Sequence, residues 1–159
     1  MKHFRPSLPS PMLVLSAVGQ LFPTRIHGEV LARVLNRLLA PELADGELDF
    51  LNGQIVLIEV IDARIRYRLT LRNGMLAALG DDGPPAALRI GGNVHDFLLL
   101  ASRQEDADTL FFHRRLTLGG NTELGLYVKN FLDSLELEER LGPVLKLLHG
   151  ATTWVGRFA

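Results

Sequence analysis

A chain of 159 residues with a formal net charge of -1 and no cysteine is long enough for one domain with a sizeable core, and it has no means of forming disulfides, thiolate nucleophiles, zinc–thiolate sites or cysteine-held iron–sulfur clusters. The balanced charge argues against a dedicated nucleic-acid binder, whose phosphate contacts call for a large excess of Lys and Arg. With glycine counted and tyrosine left out, about 55% of the chain is apolar against a usual 45–50%. Leucine alone supplies about a fifth of the residues, while aromatics are only 7%, so an aliphatic, deformable surplus has to be absorbed by a large core, an oligomer interface, a lipid cavity or a membrane surface.

The first 23 residues read as an arm punctuated by Pro6, Pro9 and Pro11, leading into a short helix over Pro11–Leu21. The apolar run Met12–Phe22 would reach only about 17 Å as a helix, too short for a hydrocarbon core of about 30 Å. Lys2, His3 and Arg5 before it and Ala17-Val18-Gly19 within it imitate a secretory signal, but the prolines leave almost no hydrophobic region, so a retained, cytoplasmic chain is expected. Pro23 closes this segment. Thr24 is a candidate N-cap for a helix over Arg25–Leu39 that places Ile26, Val30, Leu31, Val34, Leu35 and Leu38 on one stripe and Glu29, Arg33 and Arg37 opposite.

From Glu47 the hydrophobic period changes to two. A strand over Glu47–Phe50 is predicted to turn through Leu51-Asn52-Gly53, because only that loop length puts Leu48 and Phe50 on the inner face with Val56 and Ile58, Gly53 taking the left-handed position. The next strand, Gln54–Ile61, turns at Asp62-Ala63 and sets Glu59 opposite Arg66. Arg64, Arg66, Arg68, Thr70 and Arg72 then alternate with Ile65, Tyr67, Leu69 and Leu71, the pattern of an antiparallel strand with one wet face. Asn73-Gly74 makes a hairpin to Met75–Leu79, and a longer loop over residues 81–85 leads into Ala86–Ile90.

Leu88-Arg89-Ile90-Gly91-Gly92-Asn93 is echoed by Leu116-Thr117-Leu118-Gly119-Gly120-Asn121, each reading as strand, glycine turn, Asn cap and helix. Two helices are therefore predicted to leave the last two strands of one sheet. The second carries Leu124, Tyr127, Val128, Phe131, Leu132 and Leu135 on a wide apolar stripe. After Pro143, Val144, Leu147, Leu148, Ala151, Trp154, Val155 and Phe158 recur at helical spacing, in a segment suited to packing on the domain, to closing a dimer or to lying in a bilayer interface.

Catalytic motifs are lacking. His3, His27, His95, His113 and His149 are scattered without metal-ligand spacing, the carboxylates fall in solvated groups, and no serine sits in G-x-S-x-G, so no metal, cofactor or catalytic set is expected. The Gly-Gly-Asn turns are neither G-x-G-x-x-G nor a P-loop, which leaves helix capping as their role. The arginine stripe Arg64, Arg66, Arg68 and Arg72 reads first as cross-strand pairing with Glu59, Asp49 and Glu47. His113-Arg114-Arg115 has fewer acids beside it, so Arg114 and Arg115 are candidates for contact with a headgroup or a partner.

Glu47-Leu48-Asp49-Phe50-Leu51-Asn52-Gly53, the run Asp106 to Leu116 with its Phe111-Phe112-His113-Arg114-Arg115-Leu116, and Thr122-Glu123-Leu124-Gly125-Leu126 continuing to Asp133 resemble the SCP2 (sterol carrier protein 2) lipid-binding domain family over about residues 25–140. One departure is Gly120-Asn121, where the family commonly has Gly-Asp; both Asn and Asp cap helices. The resemblance implies an α+β, SCP2-like fold: a curved, mostly antiparallel five-stranded sheet, helices covering one face, and an apolar tunnel between. It further implies a non-catalytic, cytoplasmic accessory role in oxygen-independent ubiquinone synthesis. The molecule handled would be a long-chain lipid, either an isoprenoid quinone precursor or a phospholipid, presented to U32 peptidase-like hydroxylases with peripheral contact at the inner membrane.

The expected division is an arm over residues 1–23, a lipid-binding domain over 24–140 and an apolar tail over 141–159. Candidate cavity residues are Phe97, Leu100, Phe111, Phe112, Leu118, Leu124, Val128, Phe131 and Leu132. Candidates for membrane contact are Leu13, Leu21, Phe22, Leu147, Trp154 and Phe158. The rival reading is an interaction module in which the same apolar helices close a homodimer or bind a biosynthetic complex and no ligand enters.

Overall fold

The computed structural model describes residues 24–136 and 138–157, with Leu13 and Ala17. Those two residues are helical, and the rest of the helix expected over Pro11–Leu21 lies outside the described residues. Helix α1 (Thr24–Leu38) starts at Thr24, which is its first residue and not its cap, and a single turn, α2 (Ala40–Ala44), follows. Strands β1 (Val56–Val60), β2 (Ile65–Arg72), β3 (Met75–Leu79), β4 (Leu88–Gly92) and β5 (Thr117–Gly120) form one sheet in the order β3-β2-β1-β4-β5. Every neighbouring pair is antiparallel except β1 with β4. The architecture is thus the expected α+β one.

Hairpin registers follow the sequence pattern. Glu59 faces Arg66 across the β1–β2 hairpin, with an ion pair at 3.4 Å. Asn73 and Gly74 hold φ values of 51° and 72°, the two left-handed residues that a tight β2–β3 turn requires. The expected strand at Glu47–Phe50 does not form: Asp49–Leu51 is a 3₁₀ turn. Both edges of β1 are already taken, by β2 on one side and by β4 on the other, so no edge remains for a preceding strand. Leu48 and Leu51 nevertheless reach the core, both buried, and Gly53 is left-handed at φ 69°.

Alternation along the strands defines an inner face with Val56, Ile58, Leu69, Leu71, Leu76, Leu88 and Ile90. Helix α1 lies on the β2–β3 side of that face, turned by about one residue position from its predicted seat. Gly28 and Ala32 approach the sheet, a Cβ at Gly28 falling 3.1 Å from Ala78 Cβ, while Ile26, Val30 and Val34 are exposed. Small residues let the helix come closer than a branched stripe would. Asn36 then satisfies the free edge of β3, accepting from Leu76 N–H at 2.8 Å and donating to Leu76 C=O at 2.9 Å.

The outer face is less wet than its arginines suggested. Arg66 and Arg72 are exposed, but Arg68 is 7% exposed and reaches the loop after β3, donating to the carbonyls of Gly80 (2.9 Å), Asp81 (3.0 Å) and Pro84. The loop's inward-pointing carbonyls draw this arginine in, and Arg64 sits at φ 55° in the β1–β2 turn.

As the two glycine turns imply, α3 (Val94–Ala101) leaves β4 and α5 (Thr122–Ser134) leaves β5, with a short helix α4 (Ala107–Phe112) between. Asn121 caps α5, its Oδ1 accepting from Leu124 N–H at 3.0 Å. Helix α6 (Glu138–Gly156) starts ahead of Pro143 and packs on α3. Val155 and Thr152 are buried, Gly156 lies against the His95 ring, and His149 Nε2–H donates to Ser102 C=O at 3.0 Å. At its other end Arg140 donates to both carboxylate oxygens of buried Glu42 (2.8 and 2.6 Å) and to Leu38 C=O (3.0 Å), so it ties α6 to the end of α1.

Two consequences are testable. Arg68→Met leaves three loop carbonyls without their donor, which should cost on the order of 2 kcal/mol in denaturant unfolding and open the loop at residues 80–85 to proteolysis. The Arg140 guanidinium holds the Glu42 carboxyl below its ordinary value. A depressed folded-state pKa contributes stability above the unfolded value of about 4.3, and that stability is lost as pH falls through the depressed one. Glu42→Gln should therefore melt a few degrees below wild type at neutral pH, and the two curves should converge in acid.

Candidate functional site: an apolar cavity beside a polar cleft

The buried apolar residues fall into two clusters. The larger joins α1, the 3₁₀ turn, the inner sheet face and α5, with Leu39, Leu48, Leu71, Leu88, Val128 and Phe131 among its members. The smaller is Leu99, Leu110 and Leu116, with Phe97, Leu100 and Phe111 against it, and belongs to the α3–α4 layer. A cavity of about 200 Å³ lies at the seam and takes its walls from both: Leu35, Leu39, Val56, Ile58 and Ile90 on one side, Phe97, Leu100, Phe111 and Leu116 on the other, and Val128, Phe131 and Leu132 from α5. Thr70 is the only polar residue in that wall, and among the described residues no titratable side chain lines it. Such a wall suits hydrocarbon.

Its size sets what fits. At about 30 Å³ for a group the size of a water molecule, 200 Å³ takes about seven methyl or methylene groups. Burying them contributes about 5–6 kcal/mol at about 0.8 each before ordering costs. Ligand pockets usually measure about 300–1,000 Å³. The cavity therefore suits the end of a chain rather than the whole of a long one.

A larger recess of about 580 Å³ opens where β1 and β4 end, lined by Ile61, Asp62, Gly91, Gly92, Asn93, His95, Asp96, Arg114, Arg115 and Thr117. It is polar and largely self-neutralised. Arg115 lies 2.5 Å from Asp96 and 3.4 Å from Glu105, and it donates to His95 Nδ1 at 3.3 Å. The first turn of α3 is capped by the chain's own carboxylates: Asp62 Oδ1 accepts from Val94 N–H (2.9 Å) and Asp96 Oδ2 from Asn93 N–H (3.3 Å). These amides are thus unavailable to an anion. Gly92 lines the recess, and a Cβ there would come within 2.5 Å of Leu116 Cδ2 and 3.4 Å of Phe97 Cε2, both residues of the cavity wall.

Of the nine residues picked from the sequence for the cavity, Phe97, Leu100, Phe111, Val128, Phe131 and Leu132 line it. Leu124 is buried in the adjoining core without reaching the space, and Leu118 on edge strand β5 is 37% exposed. Phe112 is 85% exposed: consecutive residues of one helical turn point about 100° apart, so Phe111 turns inward and its neighbour outward. Leu35, Leu39, Leu48, Phe50, Leu51 and the strand residues were not singled out as a site, although strand alternation already placed Leu48, Phe50, Val56 and Ile58 on the inner face. Among the membrane candidates, Leu13 is 64% and Trp154 43% exposed; Leu21, Phe22, the Leu147 side chain and Phe158 lie outside the described residues. No helix among the described residues is long and apolar enough to cross a membrane.

A sheet with helices on one face and a hydrocarbon-lined seam between them is the architecture of a lipid-carrier domain. Residues 32–133 match the SCP-2 sterol transfer family, and the chain belongs to that family. Its relatives include the ubiquinone biosynthesis accessory factor UbiT of Escherichia coli (strain K12), 39% identical over 137 residues that cover 86% of this chain and 74% of the relative; UbiT of Escherichia coli O157:H7 shows the same identity and coverage. Among solved structures, the UbiJ-SCP2 ubiquinone synthesis protein aligns with a TM-score of 0.50 at 19% identity, over 80% of this chain and 94% of that one, a likeness of fold.

Leu100 is half-buried and faces the cavity from the smaller cluster. Leu100→Trp should fill the space and lower uptake of a fluorescent fatty-acid probe by about tenfold or more, about 1.4 kcal/mol, with an unchanged circular dichroism spectrum.

Proposed function

We propose that this protein is a non-catalytic lipid-binding accessory factor of ubiquinone biosynthesis, which holds the tail of an isoprenoid quinone intermediate, or a phospholipid acyl chain, in the seam between its two apolar clusters. The observation that carries this reading is the cavity wall itself: hydrocarbon from both clusters, one threonine, and no titratable side chain among the described residues. Membership of the SCP-2 sterol transfer family and the 39% identity to UbiT support it.

Residues 24–140 would form the binding unit, with the terminal segments flanking it. In the oxygen-independent route the partners would be U32 peptidase-like hydroxylases, and the factor would work on the cytoplasmic side of the inner membrane. Its contribution is physical. A polyprenyl tail in water exposes hydrocarbon worth about 0.8 kcal/mol per methylene, and a cavity that covers part of it leaves the quinone ring free to be presented. Aliphatic walls discriminate chain length weakly, by about 1–3 kcal/mol per methylene-scale mismatch, so identity would be read by the partner that receives the ring.

Native mass spectrometry of the purified full chain, with organic extraction of the same sample, tests the reading. A stoichiometric prenyl quinone or phospholipid is the expected result. A mass equal to the bare chain or its dimer, with no stoichiometric lipid in the extract, overturns it in favour of an interaction module.

A further inference from the structure

The turn that closes α4 presents a feature the cavity does not use. Phe112 is the most exposed large apolar side chain among the described residues, at 85%, and it stands beside His113, the two rings meeting edge-on with centroids 5.5 Å apart. Arg114 follows in the left-handed region at φ 58°, a conformation a non-glycine residue adopts only where its surroundings impose it. Here the C-terminal cap of α4 imposes it, Arg114 N–H donating to Phe111 C=O (3.0 Å) and Arg115 N–H to Leu110 C=O (2.9 Å), while the Arg115 side chain is held by Asp96 and Glu105. The turn is therefore fixed, and it holds Phe112 and Arg114 outward.

The carboxylates around this turn have other partners, Asp62 across the recess accepting from Val94 N–H at 2.9 Å. Asp106 caps α4, accepting from Thr109 N–H (2.7 Å) and Oγ1–H (3.0 Å), which also lowers its pKa. Asp108 pairs with Lys129, and Asp96 and Glu105 with Arg115. Among the described residues Arg114 has no ion pair within 4 Å, and it stands two positions from an exposed aromatic.

We propose that Phe112 and Arg114 form a docking point for an anionic bilayer surface, the ring entering the interface and the guanidinium meeting lipid phosphates. An aromatic wedge with a cation at its base matches the layered chemistry of a bilayer, apolar below and anionic above. A protein interface ordinarily needs about 800 Å² per partner around a contiguous apolar centre, and one projecting ring does not supply it. The position is also consequential: Phe111, the preceding residue, is a wall of the cavity, so docking here brings the seam to the lipid phase. This last step rests on the lipid-binding reading above.

Flotation of the full chain with vesicles tests it, using phosphatidylethanolamine with phosphatidylglycerol in one series and phosphatidylcholine alone in the other. Wild type should bind the anionic series more tightly. Phe112→Ser should weaken binding to both by about tenfold or more, and Arg114→Gln should weaken the anionic series alone by about fivefold. Both side chains are exposed, so the fold should survive, as circular dichroism would verify. Vesicle binding that is unchanged in folded Phe112→Ser, or absent in wild type, overturns the proposal. Lipid extracted from the same wild-type sample separates the two ideas: cargo without vesicle binding refutes the docking point alone, and vesicle binding lost in Phe112→Ser supports it even if no cargo is found.

Discussion

Strand β1 is hydrogen-bonded along both edges, to β2 in the antiparallel sense and to β4 in the parallel sense, and most of the architecture follows from that double pairing. Because β4 arrives from beyond two intervening strands, it takes the edge that a preceding strand would have used, and Asp49–Leu51 turns into a 3₁₀ segment that drops Leu48 and Leu51 into the core. Because β1 and β4 run parallel, they end together, and α3 starts there. Asp62 from the turn after β1 caps that helix, so the end of the sheet and the α3–α4 layer are joined at one point. Elsewhere that layer is tied to α5 by the Asp108–Lys129 pair and by Arg103 donating to Leu132 C=O at 3.0 Å, with apolar contact between them.

This division explains how a protein with an aliphatic surplus can bind hydrocarbon. Had the apolar side chains merged into one cluster, close packing would have left no space larger than a water molecule. Instead a small cluster around Leu99, Leu110 and Leu116 faces a large one built on the sheet, Phe97 packs against both, and a space remains between them. The cavity wall lacks titratable groups among the described residues, so affinity there depends on apolar burial and not on pH.

Electrostatics in this molecule is mainly structural. Arg68 holds a loop by its carbonyls, Arg115 cross-links α3 to the segment before β5, and Arg140 ties the last helix to the first. As sequence, Arg68 reads as pairing across strands and Arg115 as a candidate for a headgroup or partner. Burial and geometry consume both, whereas Arg114 has no ion pair among the described residues.

Alternation and turn chemistry, both local, were enough for the sequence by itself to determine the hairpins of β1–β3, the Glu59–Arg66 pairing, the two Asn-headed helices and the inner sheet face. The family resemblance was carried separately, by the residues of the Phe111–Leu116 and Thr122–Leu126 runs themselves. Tertiary structure alone decided the parallel pairing of β1 with β4, since strands distant in the chain carry no local mark of their partner. It also decided which side of α1 meets the sheet, because the helix seats on Gly28 and Ala32, whose smallness gives no hydrophobic signal. The cavity's position was settled there too, since a seam is a mismatch between two clusters and not a property of either. The opposite fates of Phe111 and Phe112 were fixed by the rotation of one short helix about its axis, which periodicity over six residues does not specify.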